Sequence, residues 1–385
     1  MSTTINRVIA DANSAQITVS KVVPYSTISL VDIDKANDVS VSCYDDVPEF
    51  VESELVRLYG NFYSSLSHLR ELKNFDCVNT YVERFKGNII SLILFQREKS
   101  VVTVFNEVIA ISDNEVERFS RYIFDHFNEV AVIKFRAIST EMDHFVFPFQ
   151  RYNYLEDIVI DLPQDTQLYL ASLGKNLRRN LKRCQKKLEI EHPSFSFRMS
   201  LDGSVKEQDI HDVVALNRTR MLEKNKVPAI DEEETELLVT QVRESGLVCI
   251  ATVDDHVCAG AICFRTGKNY FLTVIAHDSN YDVYSLGMLC CAHMICECID
   301  RGGNEFHFLW GRYDYKFALN GIQRDLFQVV IYRSKFQFLM HLKLALIIWK
   351  RAKTRQAVLY LQQIKKSNGL MSRLAMQFLS AIRRI

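Results

Sequence analysis

One arrangement of segments occurs twice along this chain: a helix, β-rich runs in close succession, a second helix and a buried strand. In the first copy, residues 47–72 place Phe50, Val51, Leu55, Leu58 and Tyr59 at helical spacing. The runs VNTYVERF, NIISLILF and SVVTVFNEVIAI follow, the first two split by the hairpin signal Lys86-Gly87. Asp113 opens a helix, and AVIKFRAI at 131–138 reads as a buried strand. In the second copy, LEDIVIDL (155–162) precedes the helix GKNLRRNLKRCQKKLE (174–189) and the strand FSFRMS. Helices at 206–224 and 231–245 lead into a three-strand meander at 246–277. A helix from Ser285 to Arg301 ends at Gly302-Gly303, and the strands EFHFLW (305–310) and LFQVVIYR (326–333) complete the copy. Short β-runs joined by tight turns pair antiparallel, and amphipathic helices must cover their faces.

The expected fold class is therefore α/β (α+β), with two tandem domains, each a mixed, mostly antiparallel sheet flanked by helices. A length of 385 residues suits two domains of ordinary size. The divisions read as a polar leader over 1–24, an N-terminal domain over 25–150 and a C-terminal domain over 151–333 that carries the chemistry. A basic amphipathic helical tail spans 334–385.

Charge is distributed unevenly although it sums to zero. Residues 326–385 hold twelve Lys or Arg and no Asp or Glu, which leaves 35 basic against 47 acidic side chains before them. The segment FQFLMHLKLALIIW (336–349) is too short for a membrane span and is interrupted by Lys343. A basic amphipathic helix over 336–385 suits an anionic membrane surface, an acidic carrier protein or the chain's own acidic body. The first residues lack a secretory pattern, and the ten cysteines have no framework spacing. Both observations point to reduced thiols and a cytoplasmic location, peripheral to the inner face of a membrane if the tail binds lipid.

Three segments of the second half carry chemistry. The helix at 174–189 keeps Leu177, Leu181, Cys184 and Leu188 on one face and surrounds them with cations; Arg178, Arg179 and Lys182 suit a phosphate. It lacks the interleaved aromatics of a nucleic-acid surface, so no DNA partner is expected. The second segment is the helix start at Ser285, Leu286, Gly287 and Met288, where amides and dipole suit a pyrophosphate; its ordinary reading is a Ser-capped helix. The third is the cluster Arg312, Tyr313, Asp314, Tyr315 and Lys316, which follows a strand ending at Trp310-Gly311. A phenol can protonate a leaving thiolate, and a lysine can balance developing negative charge. Cys290, Cys291, His293, Cys296 and Cys298 crowd one helix without a knuckle or partner cluster, so they read as small hydrophobes and no metal is expected.

Together these segments resemble the GNAT acyltransferase superfamily, and within it the CelD/BcsL-type enzymes related to the Fem aminoacyl transferases. The resemblance rests on the Arg-rich helix after Leu173-Gly174, the Ser-x-Gly helix start, and Gly311-Arg312-Tyr313-Asp314-Tyr315-Lys316. It covers about 155–333, and over 25–150 only the order of elements matches. It implies that backbone amides of Leu272, Thr273, Val274, Ile275 and Ala276 hold a thioester arm, that Ser285–Met288 receives a pyrophosphate, that Tyr315 is the general acid and that Lys316 stabilises charge. Asp282 stands where the superfamily has Arg or Gln, and Ser285 where it has a first glycine. An acid beside a pyrophosphate is unfavourable, which opens a carrier-protein thioester or an aminoacyl-tRNA as donor. For the general base, His277, Asp278, Glu305 and His307 are available, and Asp278 lies best at a strand end. The implied activity is transfer of an acyl group, acetyl first, from acetyl-CoA, another acyl-CoA or acyl carrier protein to an amine or hydroxyl of a cell-envelope or exopolysaccharide precursor. An aminoacyl-tRNA-dependent ligase and a non-catalytic scaffold of a polysaccharide-synthesis complex are the alternatives.

Overall fold

A computed structural model describes residues 30–34, 39–71, 75–142 and 144–365. The leader over 1–24 and the tail beyond 365 lie outside the described residues. Among the described residues the chain resolves into two compact units, one built from segments within 30–59, 69–156 and 325–365, the other from 60–68 and 157–324. Each contains a mixed, mostly antiparallel sheet flanked by helices.

In the first unit, β1 (Leu30–Asp34), β2 (Val39–Tyr44), β3 (Asn79–Phe85) and β4 (Asn88–Glu98) pair antiparallel in order. The β3–β4 turn is Lys86-Gly87, with φ of 49° and 83°, the left-handed pair that a two-residue hairpin needs. β5 (Val101–Val104) and β6 (Ile109–Ala110) lie parallel to β7 (Val132–Ser139). Of residues 47–72, only α1 (Val51–Leu58) forms a regular helix within this unit. The helical pattern stops at Gly60, where φ is +49°, and Asn61 caps a separate 3-10 turn. α2 (Asp113–His126) begins at a capping box formed by Ser112 and Glu115 and buries Val116, Phe119 and Ile123. The stretch Phe327–Tyr332 pairs with β7 in this unit, although its place in the sequence suggests a strand of the second half.

In the second unit, residues 157–161 of β8 (Phe149–Asp161) pair with a short strand, Glu305–His307. That strand runs parallel to β12 (Asn269–His277). β9 (Ser196–Leu201), β10 (Gly246–Val253), β11 (His256–Thr266) and β12 form an antiparallel sheet. α3 (Thr166–Ser172), α4 (Lys175–Glu191) and α7 (Leu286–Asp300) share a core with one face of this sheet. The opposite face packs on α5 (Glu207–Glu223) and α6 (Glu232–Ser245). α6 starts at the Asp231–Glu234 capping box, and Gly302 (φ +70°) closes α7. Cys290, Cys291 and Cys298 are buried core residues of α7, and burial pushes the Cys291 thiol up.

EFHFLW is only half strand. β13 covers Glu305–His307, and the chain then leaves β12 and continues along β8: Phe308 N donates to Ile158 O at 2.8 Å and Ile158 N donates to Leu309 O at 3.3 Å. Leu309 has φ of +57° and Gly311 of +92°, so the turn is left-handed twice. Three carbonyls on this stretch are met by one side chain. Lys316, in α8 (Asp314–Ala318), donates from Nζ to Phe308 O at 2.7 Å, Leu309 O at 3.0 Å and Trp310 O at 2.6 Å. An ammonium has three protons, so all are engaged.

A second buried charge group pins β13 to β8. His307 is 4% exposed, stacks on the Phe271 ring, and hydrogen-bonds to Asp157 Oδ2 at 2.7 Å and Glu305 Oε2 at 3.1 Å. Arg324 pairs with Glu305 and Asp161, each at 2.7 Å. Burial alone would lower the His307 imidazole, but the two carboxylates overcome it and raise it above 6.5. The His307 hydrogen bond, with Arg324, holds the Glu305 carboxyl down at about 2.

Two outcomes are expected. Lys316→Met should strip donors from three buried carbonyls and destabilise the chain by about 3 kcal/mol in urea unfolding. For His307, the raised imidazole contributes fully below about pH 6.5 and fades as pH rises through its folded value. The depressed Glu305 contributes fully above about pH 4.5 and fades toward pH 2. The thermal midpoint gap between the natural chain and His307→Gln should therefore be widest between about pH 4.5 and 6.5 and narrow on both sides.

Candidate functional site

The candidate site lies where two parallel strands part. β12 pairs with β13 at only Asn269, Tyr270 and Phe271, yet it continues to His277. The backbone from Leu272 to Ala276 therefore runs on without β13 beside it. β12 also carries a bulge against β11: Ile262 faces Val274 and Cys263 faces Leu272, which leaves Thr273 as the extra residue, with its side chain exposed. Such a bulge re-aims backbone groups locally. Asn217 of α5 reaches this stretch, its Nδ2 donating to Ile275 O at 3.5 Å.

β12 leads through the 3-10 turn Ser279–Tyr284 into the start of α7. Asp278 caps that turn, accepting from Asn280 N at 2.9 Å, and is half-buried. Ser285 is not the side-chain cap its sequence suggests. Its φ is +53°, its hydroxyl makes no cap hydrogen bond, and its carbonyl accepts from Met288 N and Leu289 N. The amides of Leu286 and Gly287 belong to the first turn, where a helix has no internal acceptors. Gly287 matters for close approach, because a Cβ there would lie 3.0 Å from His277 Nδ1.

His277 stands between two charged groups. Arg220 of α5 donates to Nδ1, so the ring proton sits on Nε2 and is accepted by Asp282 Oδ1 at 2.8 Å. Burial, and then Arg220, push the imidazole below its ordinary value, which keeps the ring neutral. Asp282, the acid in the pyrophosphate slot, is thus engaged by His277, and Arg220 brings positive charge from another helix. Sequence reading missed Asn217 and Arg220. They lie three residues apart on one helical face, a spacing that marks neighbours but not their destination.

Tyr315 is half-buried at the start of α8, edge-on to Phe308 at 5.9 Å and stacked with Tyr313 at 6.2 Å. Burial lifts its phenol well above 10, Cys291 of α7 adds to this, and the Arg220 charge opposes it. Tyr315 therefore sits within electrostatic reach of both α7 and Arg220. Lys316 and His307 have other partners. The lysine spends its protons on backbone carbonyls, and the histidine is enclosed by two carboxylates that favour its protonated form, so it is unsuited to accept a proton. Arg178 is half-buried on α4, and Arg179 and Lys182 are exposed; among the described residues, none of the three has an ion pair or side-chain hydrogen bond. α4 packs against the Ser279–Tyr284 turn, where Lys187 lies over the Tyr284 ring at 5.1 Å and Tyr284 donates to Glu191. The described residues contain no His, Cys, Asp and Glu grouping able to hold a metal.

Residues 175–317 match the model of the Acetyltransferase (GNAT) domain. A search of curated protein sequences finds no matching relative. FemX superposes with a TM-score of 0.51 at 7% identity, covering 77% of this chain and 93% of its own. At that identity the likeness is one of fold. L-PGS from Bacillus licheniformis superposes at 0.46 and 12% identity, over 76% of this chain and 93% of its own. A tandem GNAT protein from the clavulanic acid biosynthesis pathway superposes at 0.40 and 10% identity, over 76% and 98%. Residues 175–317 thus match a GNAT domain model, and the fold of the chain is like that of FemX.

Proposed function

We propose that the second unit transfers an acyl group from a thioester donor to an amine or hydroxyl. The observation that carries this reading is the parting of β12 from β13 beyond Phe271, which leaves Leu272–Ala276 without β13 on one edge and leads through the turn Ser279–Tyr284 to the start of α7. An acyl-CoA, acetyl-CoA first, or an acyl carrier protein would lay its arm along those backbone groups. Its phosphates would meet the amides of Leu286 and Gly287, with Arg178, Arg179 and Lys182 on the neighbouring helix; the Met288 amide already donates to the Ser285 carbonyl.

In the reaction, the acceptor nitrogen or oxygen attacks the thioester carbonyl and the C–S bond breaks. The amides of Leu272–Ala276 would take the negative charge on oxygen. The Tyr315 proton would pass to the departing sulfur, and Asp278 would accept the acceptor's proton. Burial keeps the Tyr315 proton in place at neutral pH, and the nearby Arg220 charge eases its release. We assign the charge-balancing role to Arg220 rather than Lys316, because the three Nζ protons of Lys316 already have acceptors.

Native mass spectrometry against acetyl-CoA, longer acyl-CoAs and acyl carrier protein tests the donor. One thioester should bind, and Gly287→Ala, which drives a methyl into His277, should weaken that binding by about tenfold. Tyr315→Phe should leave donor binding intact and slow transfer by roughly a hundredfold. Binding of no thioester would remove the transferase reading, and unchanged turnover of the Phe variant would remove Tyr315 from its role.

A further inference from the structure

The C-terminal helices of the first unit carry a face that the transfer chemistry does not use. α9 (Lys335–Met340) and α10 (Leu342–Lys365) follow the strand Ile322–Tyr332. α10 has three distinct sides. One is inward: Ala345 and Ile348 are 3% exposed and pack with Tyr152, Val330 and Tyr332, while Arg355 pairs with Glu156. A second is apolar yet open: Leu342, Leu346 and Trp349, at helical spacing, are 46%, 56% and 57% exposed. Phe336, Leu339 and Met340 of α9 are each at least 63% exposed. The third side is cationic, with Lys343 and Lys350 exposed one helical position from the apolar stripe. No helix among the described residues is long and apolar enough to cross a membrane.

We propose that α9 and α10 form a surface that docks on an anionic lipid bilayer, lying in its plane with Phe336, Leu339, Leu342, Leu346 and Trp349 in the acyl boundary and Lys343 and Lys350 at the phosphates. Three observations favour a bilayer. Large apolar side chains and a Trp sit exposed on two successive helices, which a water-facing surface rarely collects. Exposed lysines flank them, and an ammonium on such a stem can meet lipid phosphate while the stem covers apolar surface. The whole of 326–385 contains no acid to repel that phosphate. The inward side tethers the helix to its unit, so docking requires no unfolding. The proposal is independent of the transfer reaction.

Flotation of the full chain with vesicles tests it, one set of pure phosphatidylcholine and one of phosphatidylcholine with phosphatidylglycerol. The chain should float with the anionic set, and added salt should weaken this. Leu346→Glu with Trp349→Glu should abolish flotation on both sets. Lys343→Glu with Lys350→Glu should reduce binding to the anionic set by roughly tenfold or more and leave the weak binding to the neutral set unchanged. All four positions are exposed, and unchanged thermal midpoints will show that the variants fold. A chain that stays at the bottom with anionic vesicles overturns the proposal. So does concentration-dependent self-association in light scattering that Leu346→Glu abolishes without any vesicle binding, since the face would then join two copies.

Discussion

Two parallel strands can part only if the backbone groups that lose their neighbour find other partners. In this chain one buried ammonium supplies much of that. Lys316 donates to the carbonyls of Phe308, Leu309 and Trp310, the residues at which the chain leaves β12. Unmet buried carbonyls would favour zipping the strands together. With them met, β12 continues to His277 paired with β11 on one edge and without β13 on the other. The same constraint positions Tyr315, because it immediately precedes the lysine that is held down. A residue whose type suggested chemistry thus acts as a structural clamp, and its neighbour is presented by it.

Charge in the second unit is sorted by burial. Around β13, His307, Asp157, Glu305 and Arg324 form a mutually compensating set within the core. At the end of β12, the set is smaller and more open: Arg220, neutral His277 and Asp282. His277 lies against Gly287, so the ring that orders Arg220 also lines the start of α7. The acid in a position where the superfamily has a cation or amide is offset by a cation arriving from α5. The net electrostatic character of that helix start cannot be read from the loop alone.

Much of the architecture was legible locally. The helix that opens at Asp113, the helix over 231–245, the hairpin at Lys86-Gly87 and the stop at Gly302 rest on short-range signals, satisfied within a few residues, and all occur where the sequence suggests. The cation-rich helix with Leu181, Cys184 and Leu188 inward follows from its spacing. Less legible was the long helical reading of 47–72, since a single left-handed Gly60 breaks a pattern whose apolar spacing continues on both sides. Ser285 misled in a related way: serine commonly caps by its side chain, but in the left-handed conformation it contributes its carbonyl instead.

The order of elements, their helix and strand character, and the resemblance carried by the Ser285–Gly287 and Gly311–Lys316 segments were set by the sequence alone, because each depends on neighbours in the chain. Tertiary structure alone decided where long side chains ended. Arg220 meets His277 across 57 residues, His307 meets Asp157 across 150, and Phe327–Tyr332 pairs with β7 rather than within the second unit. Such pairings depend on which burials and charges can be satisfied together, and no local pattern records that sum.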